Sequence, residues 1–292
     1  HQLSSLILPK GFVRGLTVLD ASGNRLAGFD LPEGPYDLVE LNLAGNRLEQ
    51  LVLPQGLASL KTLNLSGNQL TNLSLPGELA NLTTLVLEPN PLTNLALPEG
   101  MTNLTWLAIG QNRLASLTLP PGLGALGTLD LSGNHLTNFT LSSGLPSLGW
   151  LHLDDNRFTE FTLPEGLPSL HLLFMSRNPL EVFSLPRGLR ISPELILDQN
   201  RLTRVDLPDG LAILPSLSLV SNRLTHLALP ASLTNRIHLN LRFNPLATLA
   251  LPQSGDWMVL PRVPYLLSVG VAVYEYPLLP SLTVGPAAAD GF

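Results

Sequence analysis

Trp150, His152 and Asp154 alternate along five residues, with Asp155 directly after them. Alternate residues of an extended strand share one face, so an indole, an imidazole and a carboxylate would stand side by side. Trp106 and Asp130 precede this group, and Phe174, Arg177 and Asp198 follow it at related spacings. Exposed Trp and Arg are the residue types that anchor protein contacts. The same indoles could stack on sugar rings. His152, Asp154 and His171 suggest a metal site or an acid–base pair, but their spacing matches no ligand signature. An open sheet also lacks the enclosed pocket that shifts pKa values. The expectation is therefore no metal, no cofactor and no catalysis.

These residues share a face only if the chain between them repeats, and it does. Asparagine returns every 22 residues, at Asn24, Asn46, Asn68, Asn90, Asn112, Asn134, Asn156, Asn178, Asn200, Asn222 and Asn244. One unit reads Leu38-x-x-Leu41-x-Leu43-x-x-Asn46-x-Leu48-x-x-Leu51-x-Leu53-Pro54-x-Gly56-Leu57. Such a unit cannot bury its apolar face alone and must stack on its neighbours. With the Asn as position 9, eleven units run from Leu16 to Trp257, apolar nearly everywhere at positions 1, 4, 6, 11, 14, 16 and 20. Leu at 4 and 6 predicts a short strand with one buried face, and eleven stacked strands make a parallel sheet about 50 Å long. Position 9 turns the chain off that sheet, and a buried Asn, with one acceptor and two donors, can satisfy the backbone groups at the bend. In the second half Pro fills position 17 in ten of eleven units, which disfavours helix in the residue before it. Gly56, Gly100, Gly166 and Gly210 supply a tight turn. The convex side is expected to be extended, with Phe29, Phe139, Phe161 and Phe183 filling the core at position 14.

The frame Leu-x-x-Leu-x-Leu-x-x-Asn-x-Leu, in phase from Leu16 through Leu246, resembles the leucine-rich repeat family. Its Leu-x-Leu-Pro-x-Gly-Leu second half is similar to the bacterial variants with an extended convex side. The resemblance implies a leucine-rich-repeat solenoid: an arc with a parallel concave β-sheet, a mostly extended convex side and very little helix. It implies a role in binding other molecules, usually proteins, on the concave face, and it does not imply ubiquitin-ligase activity.

Positions 3, 5 and 7 supply the concave side chains. Toward both ends these are bland, as at Asn42, Asn64, Ser66, Ser216, Ser218 and Asn240. The large and charged residues gather in the middle: Trp106, Asp130, Trp150, His152, Asp154, Phe174, Arg177 and Asp198, with Leu172 and Ile196 among them. Exposed aromatics on a sheet face are costly unless a partner covers them; the alternative is that Trp106 and Trp150 shield each other. A protein partner is expected, with glycan or cell-wall binding, self-association and a purely structural spacer as alternatives. Arg25, Arg47, Arg113, Arg157, Arg201 and Arg223 at position 10 would line one rim, either as a solvated ladder with packed stems or as an anion-attracting edge.

A net charge of −6 and the lack of a long basic run argue against a nucleic-acid binder. The apolar run Val263 to Tyr274 holds 12 residues, short of the ~20 a spanning helix needs, so no membrane insertion is expected. With no cysteine, disulfide caps are ruled out. Gly122, Gly124 and Gly127 match a dinucleotide fingerprint only in letters, because a strand rather than a helix should follow. Asn-x-Ser/Thr triplets at Asn72, Asn81, Asn103 and Asn138 fall out of the consensus. The expected organisation is a solenoid over 1–257, a C-terminal cap over 258–280 rich in Pro and Tyr, and a tail or linker over 281–292. His1 opens the chain without Met or a charged leader, in keeping with a processed or excised segment. The expected location is the exterior or surface of a bacterium, with the cytoplasm as the alternative.

Overall fold

The computed structural model describes residues 2–9, 14–32, 36–141, 144–187, 194–233, 237–252 and 272–276. Its strands in chain order are β1 (Val18–Asp20), β2 (Glu40–Asn42), β3 (Thr62–Asn64), β4 (Thr84–Val86), β5 (Trp106–Ala108), β6 (Thr128–Asp130), β7 (Trp150–His152) and β8 (Leu172–Phe174). They continue as β9 (Val182–Ser184), β10 (Glu194–Ile196), β11 (Arg204–Asp206), β12 (Ser216–Ser218), β13 (His226–Ala228), β14 (His238–Asn240), β15 (Thr248–Pro252) and β16 (Ala272–Tyr276). Among the described residues there is no helix, and so none that could cross a membrane.

Positions 3 to 5 of every unit form a strand of one parallel eleven-stranded sheet, ordered β1 to β8, then β10, β12 and β14. Each strand is one 22-residue step from the next, as in Leu129↔Leu151↔Leu173. The period thus becomes register: each position stacks on itself and builds a row of like side chains. Leu41, Leu63, Leu85, Leu107 and Leu129 point inward with no exposure, and the Leu rows at positions 6 and 11 join them in one continuous core. The four phenylalanines at position 14 are buried, and Phe161 meets Phe158 edge-on at 5.6 Å.

The corner after the sheet rests on the asparagines. Asn134 Nδ2 donates to Ile109 O of the coil before (3.0 Å) and to Leu131 O of its own coil (3.1 Å), while its Oδ1 accepts the Leu114 N–H (3.0 Å). The same bonds recur from Asn46 to Asn222, all buried, so each side chain fastens two coils. In every unit but the fourth, where Pro89 stands, the residue just before the Asn turns left-handed. It is Gly at 23, 45, 67 and 133, but Gln111, Asp155, Arg177, Gln199, Ser221 and Phe243 adopt φ between 49° and 60° there. The second turn uses the glycines at position 19, such as Gly56 (φ 92°) and Gly210 (φ 95°).

The convex side is extended but unevenly paired. Among the described residues of the first seven units it has only isolated bridges, Val52↔Ser74↔Ala96, with Thr162 bridging onward to Ser184. From the eighth unit it forms strands: β9 with β11, and β13 with β15 and β16. Position 13 changes in step with this at its two ends, Val182 and Thr248. It holds Gly28, Gln50, Asn72, Asn94, Ser116, Asn138 and Glu160 early, then Val182, Arg204, His226 and Thr248. Gly and Asn are depleted in strands, whereas Val and Thr favour them. β16 lies in the tract expected as a cap; Thr248 pairs with Ala272, two residues beyond the usual step. The rest of the expected cap and the whole tail over 281–292 fall outside the described residues.

Candidate functional site

The sheet register brings the central concave residues into two rows. One reads Trp106, Thr128, Trp150, Leu172; the other reads Ala108, Asp130, His152, Phe174. Each inward Leu between them locks its strand into the core, so the outward residues stand on a rigid floor. Trp106 is 50% exposed and Trp150 53%, which is unusual for the largest apolar side chains of the face. One strand separates them, which places their backbones about 10 Å apart. No aromatic contact joins the two among the described residues. The ring pair on this face is His152 on Phe174, stacked at 4.6 Å and 27°. That stack, with Leu172 and Ile196 partly exposed beside it, makes an apolar strip along the centre of the arc.

The carboxylates of the predicted set face the backbone. Asp130 Oδ1 accepts the Ser132 N–H (2.8 Å) and hydroxyl (2.7 Å). Asp154 Oδ1 accepts the Ser176 N–H (2.7 Å), and Asp198 Oδ1 accepts the Val220 N–H (2.8 Å) and the Ser218 hydroxyl (2.7 Å). Asp154 and Asp198 sit at position 7, and each reaches the amide 22 residues later. They tie one coil to the next at the edge of the patch. Burial pushes the Asp154 carboxyl above the usual range, against the lowering pull of the Ser176 amide and Arg177.

Arg177 stands at the left-handed corner rather than on the strand. It binds Asp155 through both Nε and Nη2 at 2.5 Å, a half-exposed bidentate pair. His171 is exposed, and its Nδ1 is engaged with the Ser169 carbonyl. Among the described residues no three His, Asp or Glu side chains converge on a point where a metal could sit. Gly122 is a turn glycine (φ 87°) and β6 starts directly after Gly127, so no helix follows the glycine motif.

Sequence reasoning missed Glu88. Its Oε2 accepts the Gly110 N–H (2.8 Å), and the missing side chain of Gly110 leaves room for Glu88 and Asp130 on either side of it. Burial, and then the Asp130 charge, raise the Glu88 pKa. The signal was present: an acid at position 7, a Gly one unit on, and an acid at position 5 one unit further.

A family model described as BspA type Leucine rich repeat region (6 copies) matches residues 28–130 and 131–240. Among solved structures, the chain is similar to the functional domain of InlJ from Listeria monocytogenes, which includes a cysteine ladder. The TM-score is 0.62 at 22% identity, over 85% of this chain and 60% of that one. It is similar to the leucine-rich repeat domain of APL1B, with TM-score 0.67 at 25% identity, over 83% of this chain and 72% of that one. It is also similar to YopM from Yersinia enterocolitica, with TM-score 0.53 at 26% identity, over 94% of this chain and 62% of that one. The chain thus spans about three fifths of the InlJ and YopM chains. No curated protein matches it. Where InlJ has a cysteine ladder, this chain has no cysteine at all.

Proposed function

We propose, from the premise that this chain belongs to the BspA type leucine-rich repeat family, that it is a non-catalytic module binding a protein partner on its concave face. The repeat fold is one typical of protein-interaction modules. The observation that carries the reading is the pair of half-exposed tryptophans on the rigid central strands β5 and β7, flanked by the His152–Phe174 stack. Indoles held by a packed sheet lose little conformational freedom on binding, which suits them as anchors. Arg177, fixed by Asp155, and the polar residues outside the strip form its rim. The family and the Listeria and Yersinia neighbours support a bacterial origin and a surface or secreted location.

The one-strand gap between the indoles, floored by the small Thr128, supports a second reading, in which a sugar ring stacks on Trp106 or Trp150. Affinity capture from native extract, run beside a glycan panel, separates the two. Wild type is compared with Trp106→Ala/Trp150→Ala, matched in fold by circular dichroism. A protein retained by wild type and lost by the double variant supports the first reading. Saturable binding to a defined glycan with no protein retained replaces it by the second. A ligand retained equally by both forms removes the patch from function.

A further inference from the structure

We propose that the rim of the eighth to tenth units holds an anion site that takes a sulfate or phosphate group through Arg201 and Arg223. The arginine row at position 10 is interrupted in the eighth unit, where Pro179 stands between Arg157 and Arg201. Beside it lies an open groove of about 550 Å³, lined by Arg177, Asn178, Pro179, Gln199, Asn200, Arg201 and Arg223. Three guanidinium groups line it and no acid does.

The lining side chains divide by what already occupies them. Asn178 and Asn200 are committed to the corner: Asn178 Oδ1 accepts from Phe158 N and Asn200 Oδ1 from Leu180 N, and their amides donate to carbonyls. Arg177 is held by Asp155. Asp198, the nearest acid in the chain to Gln199, is turned toward Ser218 and Val220. Arg201, Arg223 and Gln199 have exposed side chains that bond to nothing among the described residues. The left-handed corner places Gln199 (φ 55°) at the groove beside them. Two free guanidinium forks and a free carboxamide supply donors to a tetrahedral oxyanion, and the fork geometry suits such bidentate contact. This local surplus of positive charge stands in a chain of net charge −6.

The test is calorimetric titration with inorganic sulfate, inorganic phosphate and a sulfated oligosaccharide, all at one ionic strength so that screening is constant. Wild type should bind at least one probe saturably. Arg201→Gln/Arg223→Gln should weaken binding about tenfold, the loss of roughly 1.4 kcal/mol, while Arg47→Gln/Arg113→Gln, with the same charge change elsewhere on the rim, should stay within about twofold. Binding of the free ions marks a free anion as the ligand; binding of the oligosaccharide alone marks an anionic glycan. In wild type, probe-induced amide shifts should cluster at Gln199, Arg201 and Arg223, which tests the site without any substitution. No saturable binding to any probe, equal loss in both double variants, or shifts spread along the whole rim would overturn the site. The groove lies off the tryptophan face, so Trp106→Ala/Trp150→Ala should bind the anion normally even if the concave reading fails.

Discussion

At position 9 every coil carries asparagine, and from Asn46 to Asn222 that side chain is buried and fully bonded. At positions 3 and 5 the residue type varies along the arc and, Ala108 and Ser218 apart, is partly or fully exposed, reaching two half-exposed tryptophans at the centre. The two rows belong to the same coils and are equally well ordered by the period, so order alone does not mark function. In a solenoid each position meets its own copy in the next coil. A row constrained by packing therefore becomes uniform. A row that varies is free of that constraint, and its large apolar members need another explanation.

The largest expected effect comes from breaking the uniform row at its middle. Asn134→Leu removes four bonds at once, leaves the buried Leu114 N–H without its acceptor, and strips Ile109 O and Leu131 O of one of their two amide donors. The expected loss is about 3 kcal/mol or more, read by chemical denaturation. An unchanged unfolding midpoint would show that the ladder is decorative. The same test at Asn24, half-buried at the end of the stack, should cost less, because water can replace a lost partner there.

Asp198→Ala belongs between the rows. It removes the acceptor of the Val220 N–H and the Ser218 hydroxyl, in a partly exposed setting that water reaches. A loss of about 1 kcal/mol is expected, against no change if the carboxylate faces a partner instead. Trp106→Ala/Trp150→Ala should cost still less, on the order of 0.5 kcal/mol per site, the range of ordinary surface changes. A loss of several kcal/mol in that variant would move the tryptophans from the variable, functional side of the comparison to the structural one.

The period made most of this fold readable, because one unit's pattern predicts all of them. The eleven-stranded sheet and a convex side without helix among the described residues follow from Leu-x-Leu and Leu-Pro-x-Gly. What escaped were features that depend on contacts between particular coils. Asp155 and Arg177 pair because both occupy a left-handed corner; the glycines at that position in other units hint at the backbone, yet nothing in the pattern says which side chains meet. Asp154 and Asp198 have types suited to a binding face, and only their hydrogen bonds show them fastening the next coil. The split of the convex side had a partial signal at position 13, where Asn and Gly are confined to the early units and Val182 and Thr248 appear late, but it needed a comparison down a column rather than along a unit.

The smallest effect tests where the two rows meet, at Glu88. Its folded pKa is raised above the ordinary glutamate value of 4.5, first by burial and then by Asp130. A group whose pKa rises on folding favours the folded state in its protonated form. That contribution is complete below the unfolded value of 4.5 and is lost as pH rises through the raised folded value. At neutral pH the ionised Glu88 therefore works against the fold. Glu88→Gln keeps an oxygen to accept the Gly110 N–H and carries no charge toward Asp130. It should melt higher than wild type at pH 7, by on the order of 1 °C given the partial exposure, and the difference should close below pH 4.5. If it instead melts lower at pH 7, the charged carboxylate stabilises the coil through its amide bond. Glu88 would then join the uniform, structural side of the molecule rather than the face that varies.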